Sequence, residues 1–103
     1  MADKKAYQQW RESAEQVEAI AAERSVPLWQ KAHRVGGAYA GLALDGLKPK
    51  HRHKILAGFG KVNTVLARYT LDSFDDYEHI DVEDLREIIR IVRSLAPPKL
   101  SSM

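Results

Sequence analysis

Apolar residues recur at alternating spacings of three and four along four stretches of this chain. An α-helix completes a turn in about 3.6 residues, so this spacing places the apolar side chains of each stretch on one face. No stretch shows a convincing strand pattern. We therefore predict an all-α fold, a compact four-helix bundle-like single domain with helices at about 3–24, 26–45, 50–69 and 82–95.

Length and composition agree with one folded domain. A chain of 103 residues can bury one modest core, and a hydrophobic fraction of 45% is too high for a disordered chain. We predict that residues 1–103 form one domain and that residues 97–103, which follow the last helix, form a mobile tail.

The first two predicted helices raise separate packing questions. The narrow apolar seam of the first helix is interpreted as core-facing, with a dimer seam as the alternative. It consists of Tyr7, Trp10, Ala14, Val17 and Ala21.

In the second helix we expect Ser25 as N-cap and Gly46 as terminator. Its interior glycines predict close approach of another helix, with a docking groove or a helix break as alternatives. They are Gly36, Gly37 and Gly41.

Several classes of chemistry find no support in the sequence. The chain has no cysteine, which excludes disulfides, thiolate catalysis and Cys-rich zinc sites. No serine lies in a Gly-x-Ser-x-Gly turn, and Gly58 and Gly60 sit inside a helical pattern rather than a phosphate loop. His51 and His53 are surrounded by cations that would repel a metal ion. We predict a protein that is not an enzyme and binds no metal or cofactor.

The distribution of apolar residues also bears on location. The N-terminal segment is polar, without the apolar core of a signal peptide. The longest nearly apolar run, residues 35–44, is about half of the ~20 residues that a membrane span needs. We expect a soluble, cytoplasmic protein without a membrane partner.

The densest positive charge begins at Lys48 and continues along the third helix. At about 100° per residue, Lys50, Lys54, Lys61 and Arg68 lie within about 40° of one another. Clustered cations bind a phosphate backbone by releasing its counterions. We therefore predict a non-catalytic accessory or regulatory protein that associates with DNA or RNA, and a merely solvated helix face is the alternative. The predicted contacts are Lys48, Lys50, Arg52, His53, Lys54, Lys61, Arg68, Arg86, Arg90 and Arg93.

An acidic segment at residues 71–81 supports a second hypothesis. Here the protein is an interaction module, such as an inhibitor, an antitoxin-like partner or an adaptor, that docks on a protein within a larger complex. Its contacts would be Phe74, Asp75, Asp76 and Tyr77, together with the basic edge. The separation of basic and acidic segments also permits a homodimer. We expect this segment to be a loop with at most one helical turn, followed by Asp81 as N-cap of the last helix.

Overall fold

Within residues 3–97 the fold consists of four α-helices and two short 3-10 helices. The computed structural model describes residues 3–97, except the side chain of Phe74. The α-helices are α1 (Lys4–Ala22), α2 (Leu28–Ala38), α3 (Pro49–Leu66) and α4 (Val82–Arg93), and the 3-10 helices are Leu44–Gly46 and Phe74–His79. No strand occurs within residues 3–97, and the predicted all-α, four-helix fold is confirmed.

Helix α2 occupies the centre of the bundle and packs against both α1 and α4. Helix α3 also packs against α4, and two side-chain contacts show that these two helices are antiparallel. Lys54, near the start of α3, donates from Nζ to the carbonyl oxygen of Ala96 at 3.3 Å. Arg68, just past the end of α3, pairs with Asp84 in the first turn of α4 at 3.1 Å.

The core forms two adjoining clusters. Trp10 and Tyr39 are the largest side chains of the first cluster, and Ile88 and Leu85 are central to the second. Val62 packs against both. Trp10 is fully buried and its indole N–H donates to the carbonyl oxygen of Leu95 at 2.8 Å. Trp10 and Val17 of the α1 seam are therefore in the core, as predicted, and Trp10 fixes the end of α4 against α1.

Helix α2 is shorter than predicted. It begins after Pro27 and not at a Ser25 cap, since the Ser25 hydroxyl donates to Glu23 instead. It ends at Ala38, seven residues before the predicted end at residue 45. The following irregular segment is held by one side chain: Gln9 of α1 donates to the Gly41 carbonyl and accepts from the Ala43 N–H, both at 3.0 Å. Those bonds replace the helical ones that the segment lacks.

The predicted close approach at the α2 glycines is wrong. A Cβ placed on Gly36, Gly37 or Gly41 would meet nothing within 4 Å, so the helix break is the alternative that the structure shows. Close approach occurs instead at Gly46, where a Cβ would lie 2.5 Å from the Cβ of Ala6. Gly46 therefore lets the segment before α3 lie directly on α1.

The remaining boundaries differ from the predictions by about a turn. Helix α3 ends at Leu66 rather than at residue 69, and the acidic segment forms a six-residue 3-10 helix where at most one turn was expected. Asp81 occupies the N-cap position of α4, as predicted, but its side chain makes no cap bond to the helix. Within residues 3–97 no helix is long and apolar enough to cross a membrane. Of the predicted mobile tail, residues 98–103 lie outside the described part.

Candidate nucleic-acid interface

The first turns of α3 present a cluster of cations to solvent. Lys48, Lys50, His53 and Lys54 are exposed, and Arg52 is half-buried. No ion pair joins any of them to an acidic side chain within residues 3–97. Lys48 is the N-cap residue of α3. Pro49 follows it at the first helical position, where its missing N–H costs nothing.

The start of α1 lies beside this cluster. The Asp3 N–H donates to the Gly46 carbonyl at 2.8 Å, two residues before Lys48. The Tyr7 hydroxyl accepts from the Lys48 N–H at 3.0 Å. These bonds bring two further exposed lysines, Lys4 and Lys5, to the same end of the molecule. We call this surface the basic end, and it consists of Lys4, Lys5, Lys48, Lys50, Arg52, His53 and Lys54.

Sequence reasoning missed Lys4 and Lys5. They are separated from Lys48 by more than forty positions, and no periodicity relates the two groups. Only the packing of α1 on the Gly46 segment brings them together. The adjacent pair of lysines near the start of the chain was visible, but its position relative to α3 was not.

His51 is part of the structure beneath the basic end rather than of its surface. Its Nδ1 lies 2.7 Å from the Tyr7 hydroxyl, and its ring packs against Tyr7 and Trp10 with centroids 5.6 and 5.5 Å away. Burial lowers the pKa of His51, and the positive charges of neighbouring lysines, Lys50 first, lower it further. The ring therefore favours its neutral form and serves as packing for the first turn of α3.

The far end of the predicted α3 stripe is partly neutralised. Lys61 is exposed and makes no ion pair within residues 3–97. Arg68 instead pairs with Asp84, which also accepts a hydrogen bond from the Tyr69 hydroxyl. The cations of the predicted stripe thus lie along one face of α3, but most of those without an ion-pair partner within residues 3–97 are at the start of the helix.

The three α4 arginines do not extend the stripe. At about 100° per residue they lie about 120–180° around α4 from Asp84, which marks the side facing α3. Arg93 binds Glu18 of α1 through two bonds of 2.7 and 2.8 Å, and Arg90 pairs with Glu87 of its own helix. Arg86 is exposed on the same side. The structure therefore divides the ten predicted contacts into two surfaces on opposite sides of α4.

The electrostatic character of the α3 surface is set by a long stretch without acids. No Asp or Glu occurs between Asp45 and Asp72, whereas the same stretch holds six lysines and arginines. Cations at the start of a helix also oppose its dipole, whose positive end is the N-terminus. The local sequence therefore concentrates positive charge where the fold itself gains nothing from it.

The acidic–aromatic segment has mostly intramolecular contacts. The Asp76 carboxylate accepts from the N–H groups of Asp72 and Ser73 at 2.7 and 3.0 Å, and these bonds lower its pKa. The Tyr77 ring packs edge-on against His33 with centroids 5.0 Å apart, and burial raises its pKa. Asp75 is exposed, and the Phe74 side chain lies outside the described part. Two of the four predicted partner contacts thus hold the segment in place.

The geometry offers no second kind of site at the basic end. The His51 ring points inward while His53 is exposed, so the two rings do not converge on one ligand. Within the described residues, no three His, Asp or Glu side chains are placed to hold a metal ion. Comparison of the chain with protein-family models, curated proteins and solved structures found no match.

Proposed function

We propose that the protein binds nucleic acid through the phosphate backbone, with the basic end as its contact surface. The observation that carries the proposal is the cluster of cations at the start of α3 that has no ion-pair partner within residues 3–97. An unpaired lysine or arginine binds a phosphate without first giving up an intramolecular carboxylate. Counterion release then makes each contact favourable at low salt.

The rigidity of the surface supports the same proposal. The Tyr7 hydroxyl and Gly46 hold the segment before α3 against α1, and Ile55 is fully buried five residues after Lys50. Charges fixed on a helix lose less conformational entropy on binding than charges on a free loop. The contact surface is thus already organised before a ligand arrives.

The outer face of α3 presents no obstacle to a polyanion. It consists of uncharged or small exposed residues between the flanking cations: Leu56, Ala57, Gly60, Asn63, Thr64 and Ala67. No acidic side chain there repels phosphates, and a Cβ on Gly60 would meet nothing within 4 Å. A nucleic-acid backbone can therefore approach the helix closely along its length.

Binding is tested by fluorescence anisotropy with labelled duplex DNA, duplex RNA and single-stranded oligonucleotides. For duplex DNA we expect log K to fall against log salt with a slope of about −4 to −5, which corresponds to roughly five phosphate contacts. The double variant Lys48→Glu/Lys50→Glu should lose about 100-fold or more in affinity at low salt. Glutamates suit the first turn of a helix, so this variant is expected to fold.

The matched control is Arg86→Glu/Arg90→Glu, which changes the net charge by the same amount on the other side of α4. It should lose far less affinity than the basic-end variant. Equal losses would mean that only net charge matters, and no binding to any oligonucleotide at low salt would overturn the proposal. In that case a protein partner that recognises the basic edge becomes the better hypothesis.

A further inference from the structure

A groove runs between α1 and α4 on the side of the molecule that bears the α4 arginines. Helix α2 packs against both helices, and its Leu28 and Lys31 line the groove between them. The groove has a volume of about 1000 Å³, at the upper end of the range of about 300–1,000 Å³ for small-molecule sites. It extends from Arg11 to Ala21 along α1, which is about 15 Å at the rise of an α-helix.

The floor and walls of the groove differ in chemistry. Val17, Leu28 and Ile89 give it an apolar surface, and the small side chains of Ala14 and Ala21 leave the space open. Five cations surround this surface, against two carboxylates, Glu15 and Glu18. The cations are Arg11, Lys31, Arg86, Arg90 and Arg93. An apolar floor beneath an excess of positive charge fits a ligand that is both apolar and anionic.

The cations of the groove differ in how firmly they are held. Arg93 and Glu18 join the two walls, but their side chains are 53% and 56% exposed, so the pair is weak and can exchange with a ligand. Lys31 donates to the Ala21 carbonyl at 3.3 Å. Arg86 has no ion-pair partner within residues 3–97. Like Arg11, it is therefore a cation that an incoming anion would meet without competition from a carboxylate.

The hydroxyl of Tyr39 is the second observation that points to a ligand. Tyr39 lines the groove and is 2% exposed, yet its hydroxyl has no hydrogen-bond partner among the described residues. The neighbouring Trp10 N–H is already donated to Leu95. Burial raises the pKa of Tyr39 to about 12 against the lowering effect of the nearby Trp10 N–H, and the negative charge of Glu18 raises it further. A buried hydroxyl without a partner costs free energy that a polar atom in the groove would recover.

We propose that this groove binds a small amphipathic anion, whose apolar body lies on Val17, Leu28 and Ile89 and whose charged group binds Arg86 and Arg90. A partner helix is the other occupant that an apolar groove can take, but a helix is about 10–12 Å wide. It would have to displace the Arg93–Glu18 pair and cover the whole length of the groove, whereas a small anion needs only the surface beside Arg86 and Arg90. The proposal does not depend on the nucleic-acid function.

The test uses anilinonaphthalene sulfonate, an aromatic anion that fluoresces when it enters an apolar site. We expect saturable binding of one molecule per chain, with amide shift changes by NMR centred on Tyr39 and Ile89. Arg86→Glu/Arg90→Glu should weaken binding about tenfold or more, because both charge-assisted contacts of the anion are lost. Lys48→Glu/Lys50→Glu, with the same change in net charge outside the groove, should leave it unchanged.

A second variant keeps the charge and removes the space. Ala21→Leu fills part of the groove with an apolar side chain and should weaken binding of the dye. The thermal midpoint of the variant should equal that of the parent protein. The proposal is overturned if the dye shows no saturable binding, if both charge variants weaken it equally, or if the shift changes map elsewhere. Shift changes only with an acidic amphipathic helical peptide, and not with the dye, would identify the groove as a protein-docking site instead.

Discussion

The basic end and the arginines of α4 carry the same kinds of side chain, yet their charges are in different states. Around the start of α3, the nearest acids in the sequence are Asp45 and Asp72, and no ion pair forms within residues 3–97. In α4, Arg90 pairs with Glu87 and Arg93 with Glu18. The comparison teaches that a count of cations overstates the positive charge available to a ligand, because a paired cation must first leave its carboxylate partner.

The two regions also differ in shape. The basic end is an exposed helix start, which suits the exposed backbone of a nucleic acid. The α4 arginines border a concave groove with an apolar floor, which suits a small molecule. We therefore assign them different ligands, although the sequence pattern alone places them in one patch.

The largest expected effect concerns the anchoring of the basic end on α1. Gly46→Ala should lower the free energy of unfolding by about 1–3 kcal/mol, because the new Cβ would overlap Ala6, whose Cβ is fixed to the backbone. Gly60→Ala, on the open face of α3, should raise it by about 1 kcal/mol through helix propensity. Urea denaturation measures both. Equal effects would show that Gly46 is not a close-approach position.

Releasing a paired cation tests the comparison directly. Asp84→Asn keeps an acceptor for Tyr69 but frees Arg68, so the affinity for duplex DNA should rise roughly three- to tenfold and the salt slope should steepen by about 0.9. Glu18→Gln frees Arg93 on the groove side and serves as the control. If it strengthens binding as much as Asp84→Asn does, the two surfaces are not distinct.

Substitution of two tyrosines tests the hydrogen bonding under the basic end, at Tyr7, and beside the groove, at Tyr39. The Tyr7 hydroxyl bonds to His51 and the Lys48 N–H, so Tyr7→Phe should lower the free energy of unfolding by about 1 kcal/mol. Tyr39→Phe removes a hydroxyl without a partner and should cost nothing, or stabilise the fold slightly. Thermal and urea unfolding provide the values. A loss at Tyr39 as large as that at Tyr7 would mean that its hydroxyl is bonded in solution.

The smallest effect is a pH dependence at the start of α3. The pKa of His51 in the fold is below its ordinary value of 6.5, so the unfolded chain takes up a proton first as the pH falls. The stability that neutral His51 contributes is present above pH 6.5 and is lost as the pH falls through the lower folded pKa. Thermal midpoints measured across this range should fall less in His51→Gln, whereas the exposed control His53→Gln should follow the parent. A parallel decline in all three proteins would contradict this role.

The sequence predicted the helices better than their ends. The apolar spacing in α1 and α4 identified the buried residues Trp10, Val17, Leu85 and Ile88, because a helix face is set by local periodicity. The end of α2 was missed because Gln9, more than thirty positions away, holds the irregular segment. Local cap and terminator residues did not predict this helix end, because tertiary hydrogen bonds from Gln9 stabilise the irregular backbone that follows it.

Periodicity and composition by themselves determined that the chain forms four helices with a basic stripe along α3, because both depend on residues a few positions apart. The tertiary structure decided which cations stay unpaired, since Arg68 and Asp84 are 16 positions apart and Arg93 and Glu18 are 75 apart. It also added Lys4 and Lys5 to the basic end and placed the α4 arginines at a groove. These outcomes depend on which helix faces meet, and local spacing does not contain that information.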